Sequence, residues 1–345
     1  MKDTICIIGP NKNLKGGIAT VLSQYSNSCL KDKYDIKFIS SYSSSKIQFF
    51  KGLIEYLKIR KTIKACHIHV ASNGSFLRKS LFSFFTPKNV PILFHVHGGG
   101  FIDFYNKSNR FLKSLIEKNL NRAFKVIVVS EYFKSNFIKM FKLEESKIIK
   151  IYNGIYIKEE NIDLSLKKKQ VLYLGKLTKS KGVYDLIKII SKVHKYDSEI
   201  RFVIAGNGEI QNVKNEINKL NLNNCVDIVG WIDGEKKIKL LKESSILVVP
   251  SHFESFGISI VEAMANGLVI VANDIGGIPD IVLDKFNGKL IKNNNIERFK
   301  EEIIFYAQTN DARNETAKNN LKRCLKFNIN NMIKQIDNLY EEILK

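Results

Sequence analysis

The feature that most limits the fold is a series of short, wholly apolar runs separated by longer stretches of helical periodicity. The first series is TICIIG (4 to 9), IKFIS (36 to 40), HIHVAS (67 to 72), VPILFHVHGG (90 to 99) and KVIVVS (125 to 130). Runs apolar at nearly every position, rather than at alternate ones, predict strands buried on both faces. Helical patterns at 17 to 31, 46 to 64 and 106 to 123 lie between them, and a β-α-β-α order predicts a doubly wound parallel sheet. After YNGIYIKEENIDLSLKKK (152 to 169) the series restarts with QVLYLG (170 to 175), IRFVIAG (200 to 206), CVDIVG (225 to 230), SILVVPS (245 to 251) and GLVIVAN (267 to 273). The reading is an α/β chain of two Rossmann-like units joined near residues 155 to 169. Its lysine run 167 to 169 is expected to be a solvated linker. IKQIDNLYEEILK (333 to 345) closes the chain as an amphipathic helix.

A length of 345 residues suits two domains, and 44% apolar with 26% charged residues is a globular composition. Five cysteines with no C-x-x-C spacing predict neither a disulfide framework nor a zinc site, and a reducing compartment. The N-terminus enters a strand-like run at once, and no stretch approaches the ~18 uninterrupted apolar residues of a membrane span. The expected location is the cytoplasm.

Charge is unevenly placed. Residues 1 to 150 hold 26 Lys and Arg against 9 Asp and Glu, and the remainder 29 against 25, so nearly all of the formal +21 sits in the first half. Such a field attracts polyanions: nucleic acid, an anionic membrane surface or a diphosphate-bearing substrate. Lysine-rich composition is the bland alternative.

Against that background, FESFGISIVEAMANG (253 to 267) fixes two carboxylates, Glu254 and Glu262, around a glycine turn. In an open parallel sheet, ligands bind beyond the carboxyl ends of the strands, and SILVVPS ends there. The next segment reads as a loop entering a helix whose N-terminus suits phosphate. Carboxylates suit paired hydroxyls, so this arrangement fits a ribose on one Glu, a sugar on the other and a diphosphate at the turn. With 20 glutamates in the chain, about one pair at this spacing arises by chance, so context carries the argument.

That context is PSHFESFGISIVEAMANGLVIVANDIGGIPDIV (250 to 282), which resembles the signature of the family 4 retaining glycosyltransferases. The resemblance covers essentially the whole chain and implies the GT-B architecture, two facing Rossmann-like domains with an interdomain cleft. It implies an acceptor-binding domain at 1–155, joined by a C-terminal helix at 328–345, and a nucleotide-sugar-binding domain at 156–327. Gly16 and Gly17 in LKGGIAT resemble the family's glycine pair, whose amides approach the donor phosphate. LGKLTKSKG (174 to 182) resembles its diphosphate-binding stretch, with Lys176 where many members carry Arg and Lys181 as the second cation. Gly206 in AGNGE resembles the glycine turn beside the nucleotide, while Trp231 suits either the base pocket or the core. By resemblance, Glu254 binds donor-sugar hydroxyls, Glu262 the ribose, and Phe256, Gly257 and Ile258 belong to the donor-binding turn.

Two His-x-His pairs, His67/His69 and His95/His97, each lie on a strand where alternate residues share a face. A metal site needs a third protein ligand, and the sequence offers no H-E-x-x-H helix or matching acidic set. His97, at a strand end before Gly98-Gly99-Gly100, resembles the family's active-site histidine on the donor sugar. His95 is expected to be structural, His67 and His69 to pack or face the interdomain surface, and His252 to approach the glutamate loop.

The resemblance implies retaining transfer of a hexose from a nucleotide sugar, UDP above all, to a glycan acceptor. No D-x-D motif appears, so no metal and no cofactor is expected, with lysines neutralising the leaving diphosphate. KIQFFKGLIEYLKIRKTIK (46 to 64) and SFLRKSLFSFFTPK (75 to 88) mix aromatics with Lys51, Lys58, Arg60, Lys61, Arg78 and Lys79, as interfacial helices do, the alternative being core-facing amphipathic helices with solvated lysines. The expected partners are thus a lipid-linked glycan, for capsule or O-antigen, and an anionic membrane surface at the inner face of the plasma membrane. Alternatives are a nucleotide-sugar epimerase or phosphorylase of the same fold and, more distantly, a nucleic-acid binder, although no nucleic-acid module is visible.

Overall fold

The computed structural model describes residues 2–11, 14, 16–42, 46–157 and 162–345. The chain divides into two compact units: unit 1, Met1–Gly154 with Ile329–Lys345, and unit 2, Ile155–Asn328. Each holds a six-stranded sheet in which every pairing is parallel.

In unit 1 the strands are β1 (Thr4–Pro10), β2 (Asp35–Tyr42), β3 (Ala65–Val70), β4 (Ile92–Val96), β5 (Lys125–Val128) and β6 (Ile148–Lys150), in the spatial order β2-β1-β3-β4-β5-β6. The interior strands β3 and β4 are buried at every residue, as their unbroken apolar runs require. Because the chain moves outward from β1 to β2 and then returns to β3, the topological switch lies between β1 and β3. Helix Ile329–Leu344 returns to unit 1, where Tyr340 and Ile336 are fully buried and Asp337 accepts hydrogen bonds from Tyr34 and Lys33.

Unit 2 contains β7 (Lys168–Leu174), β8 (Arg201–Ala205), β9 (Val226–Gly230), β10 (Ser244–Val249), β11 (Val269–Asn273) and β12 (Gly288–Ile291), in the order β12-β11-β10-β7-β8-β9. Its switch lies between β7 and β10. Helix Val183–Tyr196 turns Leu186, Ile187, Ile189, Ile190 and Val193 into the core, against Phe202, Ile246 and Val248 of the sheet and Phe299 and Ile303 of helix Ile296–Gln308. Burying each such side chain is worth about 1.5–3 kcal/mol.

Several elements differ from the sequence reading. The sixth strand of each sheet, β6 and β12, has only three or four residues, too few to show a period. The helix expected at 106 to 123 is two, Phe101–Lys107 and Arg110–Arg122, because Asn109 is extended and its side chain accepts from Leu112 N, capping the second. The lysine run is no linker: Lys168 and Lys169 begin β7, and Lys167 donates to the Leu241 carbonyl, burial bringing its amine down to about 7. Residues 158–161 of the expected linker lie outside the described residues.

Candidate active site

Both glutamates belong to the switch region of unit 2. The loops that leave β7 and β10 there are joined at glycines. Gly182 adopts φ +72°, and a Cβ on it would lie 1.8 Å from the Pro250 carbonyl oxygen, so only glycine permits this approach. His252 N donates to the Ser180 carbonyl, and the His252 ring meets Asp185 at 2.7 Å. Gly276 (φ +56°) lies against the Glu254 backbone, where a Cβ would come within 2.1 Å of the Glu254 carbonyl oxygen, and Gly277 N donates to that same oxygen.

Held this way, the Glu254 carboxylate receives the Lys181 ammonium at 2.6 Å, the glutamate largely enclosed and the lysine half-buried. The buried Tyr173 hydroxyl donates to the Lys176 and Lys181 carbonyls and thereby fixes the basic loop. Burial first, and the Glu254 charge second, push its phenol up. Lys176 is exposed.

Gly257 adopts φ +100° and precedes the seven-residue helix Ile258–Met264, so Ile258 opens the helix and Glu262 projects from it. Glu262 is paired with Lys237 of helix Gly234–Glu243 at 2.5 Å. No sequence signal distinguished Lys237, which sits among Lys236, Lys239 and Lys242; only packing brings it to Glu262. Phe256 is buried with its ring edge on Phe327, so it offers a ligand its backbone rather than its ring. Gly206 (φ +153°) ends the β8 turn, with its would-be Cβ 1.8 Å from the Gly175 carbonyl oxygen. Trp231, just beyond β9, is 40% exposed and donates to Asp233, which removes the core reading.

In unit 1, Gly16 (φ +141°) precedes helix Gly17–Ser26 with open space where a Cβ would be. Its neighbour Lys15 lies outside the described residues. The two His-x-His pairs form a single cluster, since β3 and β4 align His69 with His95. His69 Nδ1 meets His97 Nε2 at 2.8 Å, His67 Nε2 meets His95 Nδ1 at 3.3 Å, and His67 Nδ1 meets the Tyr340 hydroxyl at 2.7 Å. The structure thus brings together the third protein ligand that neither pair supplied alone: ring nitrogens of His67, His69 and His95 lie within 4.8 Å of one another. The rings are stacked, however, with His67 and His95 only 7° from parallel, whereas coordination needs in-plane lone pairs converging on one point. Burial is the first cause that keeps all four neutral; it brings His67 to about 3, as it does His97, on which the charge of Lys79 acts second. His67, His69 and His95 are wholly enclosed, while His97, at the carboxyl edge, has 7% exposure.

Two parallel, doubly wound six-stranded sheets, one in each unit, are the architecture of the GT-B class. The TarM structure from S. aureus has the same fold, covering 84% of this chain and 59% of its own with a TM-score of 0.70 at 23% identity. The glycosyltransferase MJ1069 of Methanocaldococcus jannaschii is 31% identical over 73% of this chain and 68% of its own length. An uncharacterized protein in the cps region of Klebsiella pneumoniae is 25% identical over 90% of this chain and 94% of its own. Residues 156–323 match the family model described as glycosyl transferases group 1, and residues 17–159 that of glycosyltransferase family 4.

The chain belongs to this family: it is a glycosyltransferase of GT-B fold. It spans about half the length, 51%, of one of the curated relatives it matches.

Proposed function

We propose that this enzyme moves a hexose from a nucleotide sugar, with UDP as carrier, to a lipid-linked glycan with retention of configuration, in assembly of a bacterial surface polysaccharide. The observation that carries the reading is the Lys181–Glu254 pair at the switch of unit 2, with Glu262 one short helix away. Glu254 uses one carboxylate oxygen on Lys181 and keeps the other for donor-sugar hydroxyls. Lys181 spends one of its three N–H donors and has two for the diphosphate, aided by Lys176. Glu262, oriented by Lys237, holds the ribose hydroxyls, and the backbone of Phe256, Gly257 and Ile258 with Gly206 and Trp231 surrounds the nucleotide.

As the sugar–phosphate bond lengthens, the sugar acquires oxocarbenium character and the diphosphate gains negative charge. Lys181 and Lys176 meet that charge with fixed positive potential, and removing one such donor costs roughly 10² to 10³ in rate. The departing phosphate accepts the proton of the attacking hydroxyl on the same face. Within unit 1, the backbone amides of Gly16 and Gly17 suit a phosphate, and neutral His97 suits a hydrogen-bonding contact with a sugar hydroxyl. No metal ion is required in this scheme, so activity survives EDTA.

Support for the donor and pathway comes from likeness: the TarM complex contains UDP and alpha-GlcNAc-glycerol, and the Klebsiella relative lies in a cps region. Helices Lys46–Ile59 and Gly74–Phe85 of unit 1 add a membrane face at the cytoplasmic side, through exposed Phe50, Ile54, Leu81 and Phe84 beside Lys51 and Lys58. Among the described residues no helix is long and apolar enough to cross a membrane.

Saturation-transfer NMR with UDP-, GDP- and ADP-sugars, followed by turnover with a lipid-linked acceptor, tests the reading. Donor conversion without acceptor would indicate an epimerase, a requirement for inorganic phosphate a phosphorylase, and salt-sensitive binding of random DNA without turnover a nucleic-acid protein. Loss of activity in EDTA restored only by Mg²⁺ or Mn²⁺ would overturn the metal-free mechanism.

A further inference from the structure

Lys79 was expected on a membrane-facing surface, and the structure buries it: its exposure is 2%. It occupies the second turn of helix Gly74–Phe85, which follows β3 beside the switch of unit 1. Helical side chains lean toward the N-terminus, which carries the amine back to the carboxyl edge of the sheet. There Nζ donates to Ser75 Oγ at 2.7 Å, and Ser75 Oγ also accepts from Ala71 N, the first residue past β3. Its charge acts on His69 and His97, so the amine lies near the His97 end of the cluster.

An ammonium has three donors, and this one uses a single donor on a neutral hydroxyl. No described carboxylate pairs with it, whereas Lys33, Lys37, Lys125, Lys134 and Lys150 of the same unit each have one. A buried lysine without an anion is costly to hold. Arg78 adjoins it with its guanidinium over the Tyr42 ring at 4.9 Å, and among the described residues it too has no ion pair. The first turn of the helix contains no acidic residue, and Asn73 before it takes φ 52° and ψ −131°, a backbone region that side chains rarely occupy.

We propose that Lys79, with Arg78, forms an anion site that holds the diphosphate of the lipid-linked acceptor; its assignment to the acceptor rests on the function proposed above. An arriving phosphate oxygen satisfies the two remaining N–H donors and supplies the missing countercharge. Burial first, and Arg78 second, bring the empty site's amine down to about 7, so anion binding above that pH draws in a proton. The other titratable groups facing the amine, His69 from β3 and His97 from β4, stay neutral throughout this range and contribute no proton.

The test is isothermal calorimetry on the full chain with N-acetylglucosaminyl-diphosphoryl-geraniol, whose phosphates each hold one fixed charge near neutrality. Buffers of different ionisation enthalpy read the proton count. We expect proton uptake at pH 8 that shrinks toward pH 6, and affinity that falls as pH rises above about 7. The uncharged geranyl glycoside should bind at least tenfold more weakly, without uptake.

Lys79→Met is expected to weaken the diphosphate probe roughly 10- to 100-fold and abolish the proton, while Lys79→Arg retains binding without pH dependence. Equal binding of charged and uncharged probes, or no uptake at pH 8 by the wild-type protein, overturns the assignment even if the Met variant fails to fold. Titration with UDP in parallel separates the failures: no UDP binding refutes the proposed donor, whereas UDP binding together with equal binding of the charged and uncharged lipid probes refutes the Lys79 site alone.

Discussion

Glu262→Ala provides the sharpest reading of how unit 2 holds its nucleotide. The carboxylate meets Lys237 at 2.5 Å through Oε1 and leaves Oε2 for the ribose, so its removal costs the ligand a charge-assisted bond or a pair of them. At about 1.5–3 kcal/mol for such a bond, the Kd for UDP should rise roughly 10- to 150-fold. Stability should change far less, because the Lys237–Glu262 pair retains 27% and 20% side-chain exposure, and a pair so placed contributes about 0.2–1 kcal/mol. Calorimetric titration with UDP at fixed ionic strength reads the first quantity and thermal melting the second. Lys237→Met should weaken UDP a few-fold by freeing the carboxylate, and that effect should vanish in the Glu262→Ala background. An unchanged Kd in a folded Glu262→Ala protein, or additive losses in the double variant, would refute the ribose assignment and the orienting role of Lys237.

Other outcomes follow from the packing. Gly182→Ala must escape both φ +72° and a 1.8 Å contact with the Pro250 carbonyl, so a loss of at least about 1–2 kcal/mol is expected, together with weaker UDP binding as the two loops part; a native Tm and Kd would deny that the junction matters. Acid should destabilise unit 1, because His67 and His97 are depressed to about 3 when folded and the unfolded chain takes up protons from about pH 6.5 downward. Their contribution is intact above the unfolded pKa and declines as pH falls, by roughly 2 kcal/mol per histidine at pH 5, and denaturant melts at pH 7 and 5 measure it. Vesicle sedimentation should show binding to anionic lipid that weakens with salt, and replacing the exposed Lys51, Lys58 and Lys61 by Gln should lower it by up to roughly 100-fold at about 1 kcal/mol each. Equal binding of the variant and the parent would assign the charge to composition.

The unbroken apolar runs determined the strands before any coordinates, because a strand buried on both faces has no polar alternation to preserve. Ten of the twelve strands among the described residues were therefore legible, and the restart of the pattern after residue 169 gave the second sheet. The edge strands β6 and β12 and the break at Ser108–Asn109 were not, since a three-residue strand and a single capping side chain are decided by neighbours. Resemblance to the family's motifs also set Glu254, Glu262 and Lys181 among the donor-binding residues. The sequence could not pair Glu262 with Lys237, one lysine of several on a polar helix 25 residues away. Nor could it show that two His-x-His pairs on adjacent strands become one stack, or that Lys79 is drawn under the sheet edge while Lys51 and Lys58 stay in solvent. Local periodicity follows from covalent geometry and is written along the chain, whereas burial, charge partners and proton affinity depend on which distant segments close around a group, and only tertiary packing decides that.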